Sequence, residues 1–333
     1  MNKTGKIILI IVSALLALVF VALCGFSAYM AYTYRDFYKN SSKGFKIPGL
    51  GLDGCVPQGF EYLPEIDTFL YTGYHKDGES PSMIFVMPQG GKGEARKIEL
   101  YKADGTAFNG HVGGITVYGE YVYIADGYSV ALFDIYDILD SDGEATQISS
   151  FDNDFQVAFV EVHNGDLYVG NFYRAGDYET PKSHHITTPN GDQNTAMIYV
   201  YSLRESTGLP FSAYPWAVFS ITDAIQGMAF GDNGEVFLSS SWGLSTSKIY
   251  VYNLNQMTTE PHRLENGKQL SIHYLDSGCL IETIEAPPMA EEIVYIDGNL
   301  YIMNESASMK YLFGKLMNGH WCYAYEYDPY NPY

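Results

Sequence analysis

The chain carries two hydrophobic patterns. Near its start, residues 7–32 (IILIIVSALLALVFVALCGFSAYMAY) are apolar and uncharged throughout. A run of more than about 20 such residues is long enough to cross a bilayer as a helix. Beyond it, apolar positions come in short alternating runs, the period of half-buried strands. Residues 225–241 (IQGMAFGDNGEVFLSSS) show the unit most clearly: an apolar strand, a turn at Asp232-Asn233-Gly234, and an alternating strand. Asx-Gly pairs supply the positive φ angles that tight hairpins need.

The same unit recurs around this one. Residues 58–62 lead into 68–74, and 113–117 into 121–126. Residues 157–161 lead into 166–172 across Asn164-Gly165, and 291–295 into 299–305 across Asp297-Gly298. Each hairpin precedes a third strand (83–86, 130–135, 197–203, 248–254, 321–327) and, except in the last copy, a fourth (97–101, 146–151, 217–221, 280–284). Residues 45–48 (FKIP) occupy, ahead of the first hairpin, the place a fourth strand holds elsewhere. Four-stranded units at intervals of about 45–70 residues mark a propeller, whose blades cannot bury their faces alone. The pattern predicts an all-β fold, a five-bladed β-propeller with an N-terminal strand closing the last blade, preceded by one transmembrane helix. Such closure removes two exposed sheet edges. The expected layout is a membrane anchor or uncleaved signal over 1–34, a polar tether over 35–44, and the propeller over 45–333.

Composition agrees with many short strands: 30 Tyr and 33 Gly in 333 residues. The net charge of −20 excludes a nucleic-acid partner, since nothing neutralises phosphates at scale. Cys24 lies in the apolar run, which leaves Cys55, Cys279 and Cys322, so at most one internal disulfide is available. The apolar run exceeds the core of a cleaved signal peptide, which favours a retained anchor with the lipid bilayer as partner of residues 7–32. Arg35, Lys39, Lys43 and Lys46 follow the span and Lys3 and Lys6 precede it. Charge alone therefore puts the propeller in the cytoplasm. The layout of a short anchor before a large Tyr- and Gly-rich β-domain outweighs it, and the extracytoplasmic side of the cell membrane is expected.

In a propeller, the starts of first strands and the ends of second strands converge on one mouth. The first set is Gln58, His111, Gln156, Gln226, Glu291 and Glu292; the second is Tyr74, Asp126, Asn171, Arg174, Trp242, Asn304 and Glu305. Convergent polar groups in a concave mouth form a candidate binding site. Ligand contacts are expected from Gln58, Tyr74, His111, Asn171, Arg174, Gln226 and Trp242. A divalent cation, calcium or another, would draw on Asp126, His184, His185, Glu291 and Glu292. The pair His184-His185 lies in a long insert, residues 173–195, expected to hang over the mouth. Gly59, Gly114, Ala158 and Gly227 read as packing positions in a crowded channel. There is no Gly-x-Ser-x-Gly or HExxH motif. The expected function is therefore binding of a small molecule, glycan or protein at the mouth. The alternative is a divalent-metal-dependent hydrolase with its site in the channel.

The stretches GHVGGITVYGEYVYIADG, VAFVEVHNGDLYVGNFYR, IQGMAFGDNGEVFLSSSWG and APPMAEEIVYIDGNLYIMNES resemble the extracytoplasmic β-propeller superfamily, in particular exported bacterial propellers of unnamed function. The layout is also similar to that of the five-bladed calcium-dependent nucleotidases (apyrases), through VAFVEVHNGDLYVGNFY and through Glu292-Ile293, which resembles a channel Glu of that family. Only Arg174 and Lys182 are placed to meet a nucleotide's phosphates. The five-bladed glycoside hydrolases are a further comparison, with carboxylates on channel strands of different blades. Here most such positions are Gln, Gly or Val.

Overall fold

A computed structural model describes residues 3–264 and 267–329. Helix α1 (Lys3–Thr33) is unbroken over 31 residues and its apolar face points outward on all sides through most of its length. It is long and apolar enough to cross a membrane. Its last turns dock on the β-domain. Ser27 Oγ donates to the Leu316 carbonyl at 2.7 Å, and Tyr34 OH lies 3.1 Å from Thr246 Oγ1.

The segment expected as a polar tether carries regular structure. Helix α2 (Arg35–Lys39) buries Phe37, whose ring lies 5.7 Å from that of Tyr323 and 5.8 Å from that of Tyr325. Tyr38 OH donates to the Met317 carbonyl at 2.8 Å. The charges hide an aromatic stripe, Tyr34, Phe37 and Tyr38, that packs on the β-domain. The closing strand is Ser41–Lys46, which starts earlier than the expected 45–48. It runs antiparallel to Trp321–Glu326, with Ser41 opposite Tyr325 and Lys46 opposite Trp321.

The β-domain is built from antiparallel meanders. The first is Cys55–Leu63, Thr68–His75, Met83–Met87 and Arg96–Tyr101; the second is Ile115–Tyr118, Tyr121–Asp126, Ser129–Asp134 and Glu144–Asp152. The third is Val157–His163, Asp166–Asn171, Ala196–Ser202 and Ala217–Ile221. The fourth is Ile225–Phe230, Glu235–Ser240, Ser247–Asn253 and Leu280–Ala286. The last is Ala290–Ile296, Asn299–Asn304, Trp321–Glu326 and the closing Ser41–Lys46. Turns Asn164-Gly165 (φ 53° and 81°) and Asp297-Gly298 (φ 48° and 79°) have both φ angles positive, as two-residue hairpins require.

The first strands lie against one another in a closed cycle. Cys55–Leu63 meets Ile115–Tyr118, which meets Val157–His163; then follow Ile225–Phe230 and Ala290–Ile296, and the last returns to the first. This is the arrangement of a β-propeller. The hydrophobic clusters lie between neighbouring meanders, so each sheet buries its faces only through its neighbours. The inner strands approach so closely that side chains are excluded. A Cβ on Gly114 would lie 2.6 Å from Glu292 Oε2 and 2.7 Å from the Val160 amide nitrogen; on Gly227 it would lie 2.7 Å from Glu292 Cα.

Two features extend the meanders. Glu99–Tyr101 pair in parallel with Glu144–Thr146, which joins the first two meanders edge to edge into one eight-stranded sheet. A hairpin, Thr258–Arg263 with Gln269–Tyr274, is inserted in the fourth meander and pairs in parallel with Ala217–Ile221 of the third. Its polar alternation faces solvent on one side, and it covers an outer edge that would otherwise stand unpaired. All four cysteines are free thiols, and Cys55, Cys279 and Cys322 are buried.

Candidate functional site

A cavity of about 360 Å³ opens at the ends of the inner strands. Backbone irregularities aim its floor. The pairing of the first strand slips between Pro57 and Phe60, that of the fourth meander between Ile225 and Gly227, and that of the last between Ala290 and Ile293. A bulge rotates side chains off the regular alternation, and it presents Gln58, Gln226 and Glu291 to the same cavity. The chain enters three inner strands through non-glycine residues in the left-handed region, Val112 (φ 50°), Ala224 (φ 56°) and Met289 (φ 64°). Local strain is thus concentrated around the mouth.

The walls are aromatic. Phe172, Tyr178 and Trp242 form one side, with ring centroids 5.5 to 5.9 Å apart. Tyr74 and Tyr311 form the other, with Lys310 Nζ 5.0 Å from the first ring and 5.1 Å from the second. Lys310 also donates to Tyr74 OH at 2.6 Å. The His111 ring lies 4.8 Å from that of Tyr74. It faces the open cavity, yet the protein crowded around it, and then Lys310, push its pKa down to about 4, so the imidazole is neutral at pH near 7.

Two carboxyl groups share this mouth. Glu305 accepts a hydrogen bond from Gln58 Nε2 at 3.3 Å, and its pKa is pushed up to about 7 by burial, with Lys310 opposing. Glu291 is 4% exposed and faces the cavity. Burial first, and then Glu305 and Glu292, hold its carboxyl well above the usual range. Deeper in the channel, Glu161 is raised by burial and by the neighbouring Glu61 and Glu292. Glu61 there accepts from Thr116 Oγ1 at 2.8 Å. Like charges so close in a buried channel cannot all ionise.

Of the sequence-derived candidates, Gln58, Tyr74, His111, Gln226, Trp242 and Glu291 line the cavity. Gln156 and Glu305 of the wider mouth set line it as well, and the remaining ligand and metal candidates lie elsewhere. Asn171 is buried, with its amide nitrogen 2.9 Å from His184 Nδ1 and its oxygen accepting from the Met197 amide. His184 is buried in a separate small crevice with Tyr199, its pKa pushed down to about 4 by burial. His185 turns to Thr180 Oγ1 at 3.0 Å. Arg174 stacks at 4.2 Å over Trp242 and pairs with Asp177 at 3.1 Å. Asp126 accepts from the backbone amide of His111 and so holds that loop. Glu292 turns away from the mouth into the ring of inner strands, where Oε1 accepts from the Met228 amide at 3.3 Å. Among the described residues, no group of three or more His, Cys, Asp or Glu is placed to hold a metal ion. The insert over 173–195 gives the mouth Tyr178, not its histidines.

Lys310, Tyr311, Phe172 and Met289 are lining residues that sequence reading passed over. Lys310 and Tyr311 lie in the connection between Asn299–Asn304 and Trp321–Glu326. The length of that connection was the available signal. It joins second to third strand, as the flagged 173–195 insert does, and its far end, at Leu316 and Met317, is where α1 and α2 dock.

No family model matches the chain, and no curated protein does. Among solved structures, the chain is similar to the PQQ-bound aldose sugar dehydrogenase of Streptomyces coelicolor, at 13% identity and a TM-score of 0.43, over 85% of this chain and 95% of that one. It is similar to the β-propeller domain of Myceliophteria thermophila Cps50 (Swd1), at 11% identity and a TM-score of 0.35, over 87% and 98%. It is also similar to BamB from Moraxella catarrhalis, at 8% identity and a TM-score of 0.33, over 81% and 85%. These likenesses are distant, and the propeller architecture rests on the chain's own strand pairing and its closed cycle of inner strands.

Proposed function

We propose that this protein is a five-bladed β-propeller, closed by Ser41–Lys46 and tethered to the extracytoplasmic face of a membrane by α1, that binds a small ligand at its mouth. The observation that carries the binding reading is the cavity of about 360 Å³, a volume in the range of small-molecule sites, with aromatic walls and a few polar groups on its floor. A retained anchor is supported by Met30 and Tyr34, which pack into the β-domain's own hydrophobic cluster. Cleavage after the apolar run would strip the Met30 part of that contact. The nucleotidase comparison finds little support in the mouth, where Lys310 is the one Lys or Arg among the lining residues and faces two carboxyl groups. A polyphosphate needs more positive charge than this.

The test uses the full chain in detergent and a panel of sugars, amino acids and amines, read by thermal shift. A ligand held only by the folded state must raise the melting temperature. Gln226→Trp, which places an indole in the cavity floor, should abolish every shift while far-UV circular dichroism is retained. Hits that bind the variant unchanged would place the site elsewhere.

A further inference from the structure

Glu291 is a buried carboxyl that reaches the mouth. Its residue is 4% exposed, it borders the cavity, and its carboxyl accepts no hydrogen bond among the described residues. Unlike Glu292 Oε2, which is fully buried without a partner, the Glu291 oxygens open to the cavity. Beside Glu291 stands Glu305, which accepts one hydrogen bond among the described residues, from Gln58 Nε2 at 3.3 Å. Around both are the rings of Tyr74, Tyr311, Phe172, Tyr178 and Trp242. Aromatic faces attract cations and tolerate the apolar groups attached to them.

One ammonium is already at this place. Lys310 Nζ lies within 5.1 Å of the Tyr74 and Tyr311 ring centroids and interacts electrostatically with Glu291 and Glu305. It comes from an exposed residue of the connection rimming the mouth. It covers one aromatic wall and leaves Phe172, Tyr178 and Trp242 on the other.

Taking the cavity as the binding site, we propose that it receives an organic ammonium group, with Glu291 and Glu305 as counter-charges and the two aromatic walls enclosing its alkyl substituents. Lys310 is the resident cation that such a ligand displaces or joins. A neutral sugar would leave Glu291 unpaired or protonated; an anion would meet two carboxyl groups. The ammonium draws a proton off the carboxyl pair, so binding tightens as pH rises through the region near 7 and levels off above it.

The experiment is calorimetric titration of the full chain in detergent with choline and with dimethylbutanol, its uncharged isostere. Choline should bind and the isostere should bind at least about tenfold more weakly, the scale of one desolvated cation–π and charge contact. Glu291→Gln should weaken choline by a similar factor, while Lys310→Met, which removes the resident cation, should tighten it. The affinity should rise by up to about tenfold per pH unit below the carboxyl pKa. Glycerophosphocholine beside choline separates two sources. Tighter binding of the former assigns the site to lipid headgroups, tighter binding of choline to free amines, and either outcome supports the ammonium chemistry. Equal binding of choline and its isostere, or choline binding unchanged in Glu291→Gln, overturns the ammonium assignment and leaves the cavity as a site for neutral ligands. Choline binding unchanged in Gln226→Trp overturns both. No choline binding at any pH, with neutral hits in the thermal-shift panel, overturns the ammonium alone.

Discussion

Replacing Glu305 with Gln isolates one of the mouth carboxyls. In the folded protein its pKa is about 7, against an ordinary 4.5. That difference corresponds to roughly 3 kcal/mol between protonation states. Solvent screening at the partly exposed residue reduces its share of stability to about 2 kcal/mol. The sign follows from proton counts. Below about pH 4.5 the group is neutral folded and unfolded, and contributes no pH dependence. Between there and about 7 the unfolded chain releases its proton first, so rising pH favours unfolding, and the loss is complete above the folded pKa. Urea unfolding of the full chain, followed by circular dichroism from about pH 4 to about pH 8, should show wild-type stability falling about 2 kcal/mol more than that of Glu305→Gln. A stability difference between the two proteins that stays constant across this window would refute the burial and repulsion assigned to the mouth.

Three further outcomes follow from the packing. Gly114→Ala should cost about 2–4 kcal/mol, because its Cβ would press on Glu292 and on the backbone of the neighbouring inner strand; Gly51→Ala, which meets nothing within 4 Å, should stay within about 0.5 kcal/mol. Urea unfolding measures both. Phe37→Ala should cost about 3 kcal/mol in the same assay, since its ring is buried against Tyr323 and Tyr325; a polar tether there would predict almost no effect. Leu52→Cys, on a fully exposed loop, should react with a membrane-impermeant maleimide in intact cells, with Cys55, Cys279 and Cys322 silent by burial. Labelling only after lysis would put the propeller in the cytoplasm, as the charges flanking the span imply.

The repeat was readable because local chemistry dictates it. Period-two alternation recurs in every unit, and turns such as Asn164-Gly165 and Asp297-Gly298 are set within a few residues. The glycines of the inner strands were readable for the same reason: Gly59, Gly114 and Gly227 recur at one place in the unit, and each proves to face a neighbouring strand or side chain at under 3 Å. The site was only half readable. A bulge that turns Glu291 to the cavity and Glu292 away from it leaves no mark in the sequence of two adjacent glutamates. Likewise, nothing in the adjacent His184 and His185 foretells that Asn171 and Tyr199 hold the first and Thr180 the second. The aromatic stripe of Tyr34, Phe37 and Tyr38 was masked by its interleaved charges. Lys310 and Tyr311 reach the mouth through tertiary packing of a long connection, which no local pattern specifies.

The binding of a ligand inside the mouth is tested most directly by Trp242, which forms part of the cavity wall, whereas Trp216 and Trp321 do not line it. Choline titrated into the full chain should change the intrinsic tryptophan fluorescence saturably, and Trp242→Phe should remove that change. A saturable signal of the same size in Trp242→Phe would contradict binding at the mouth, and none in the wild-type protein would contradict the ammonium assignment.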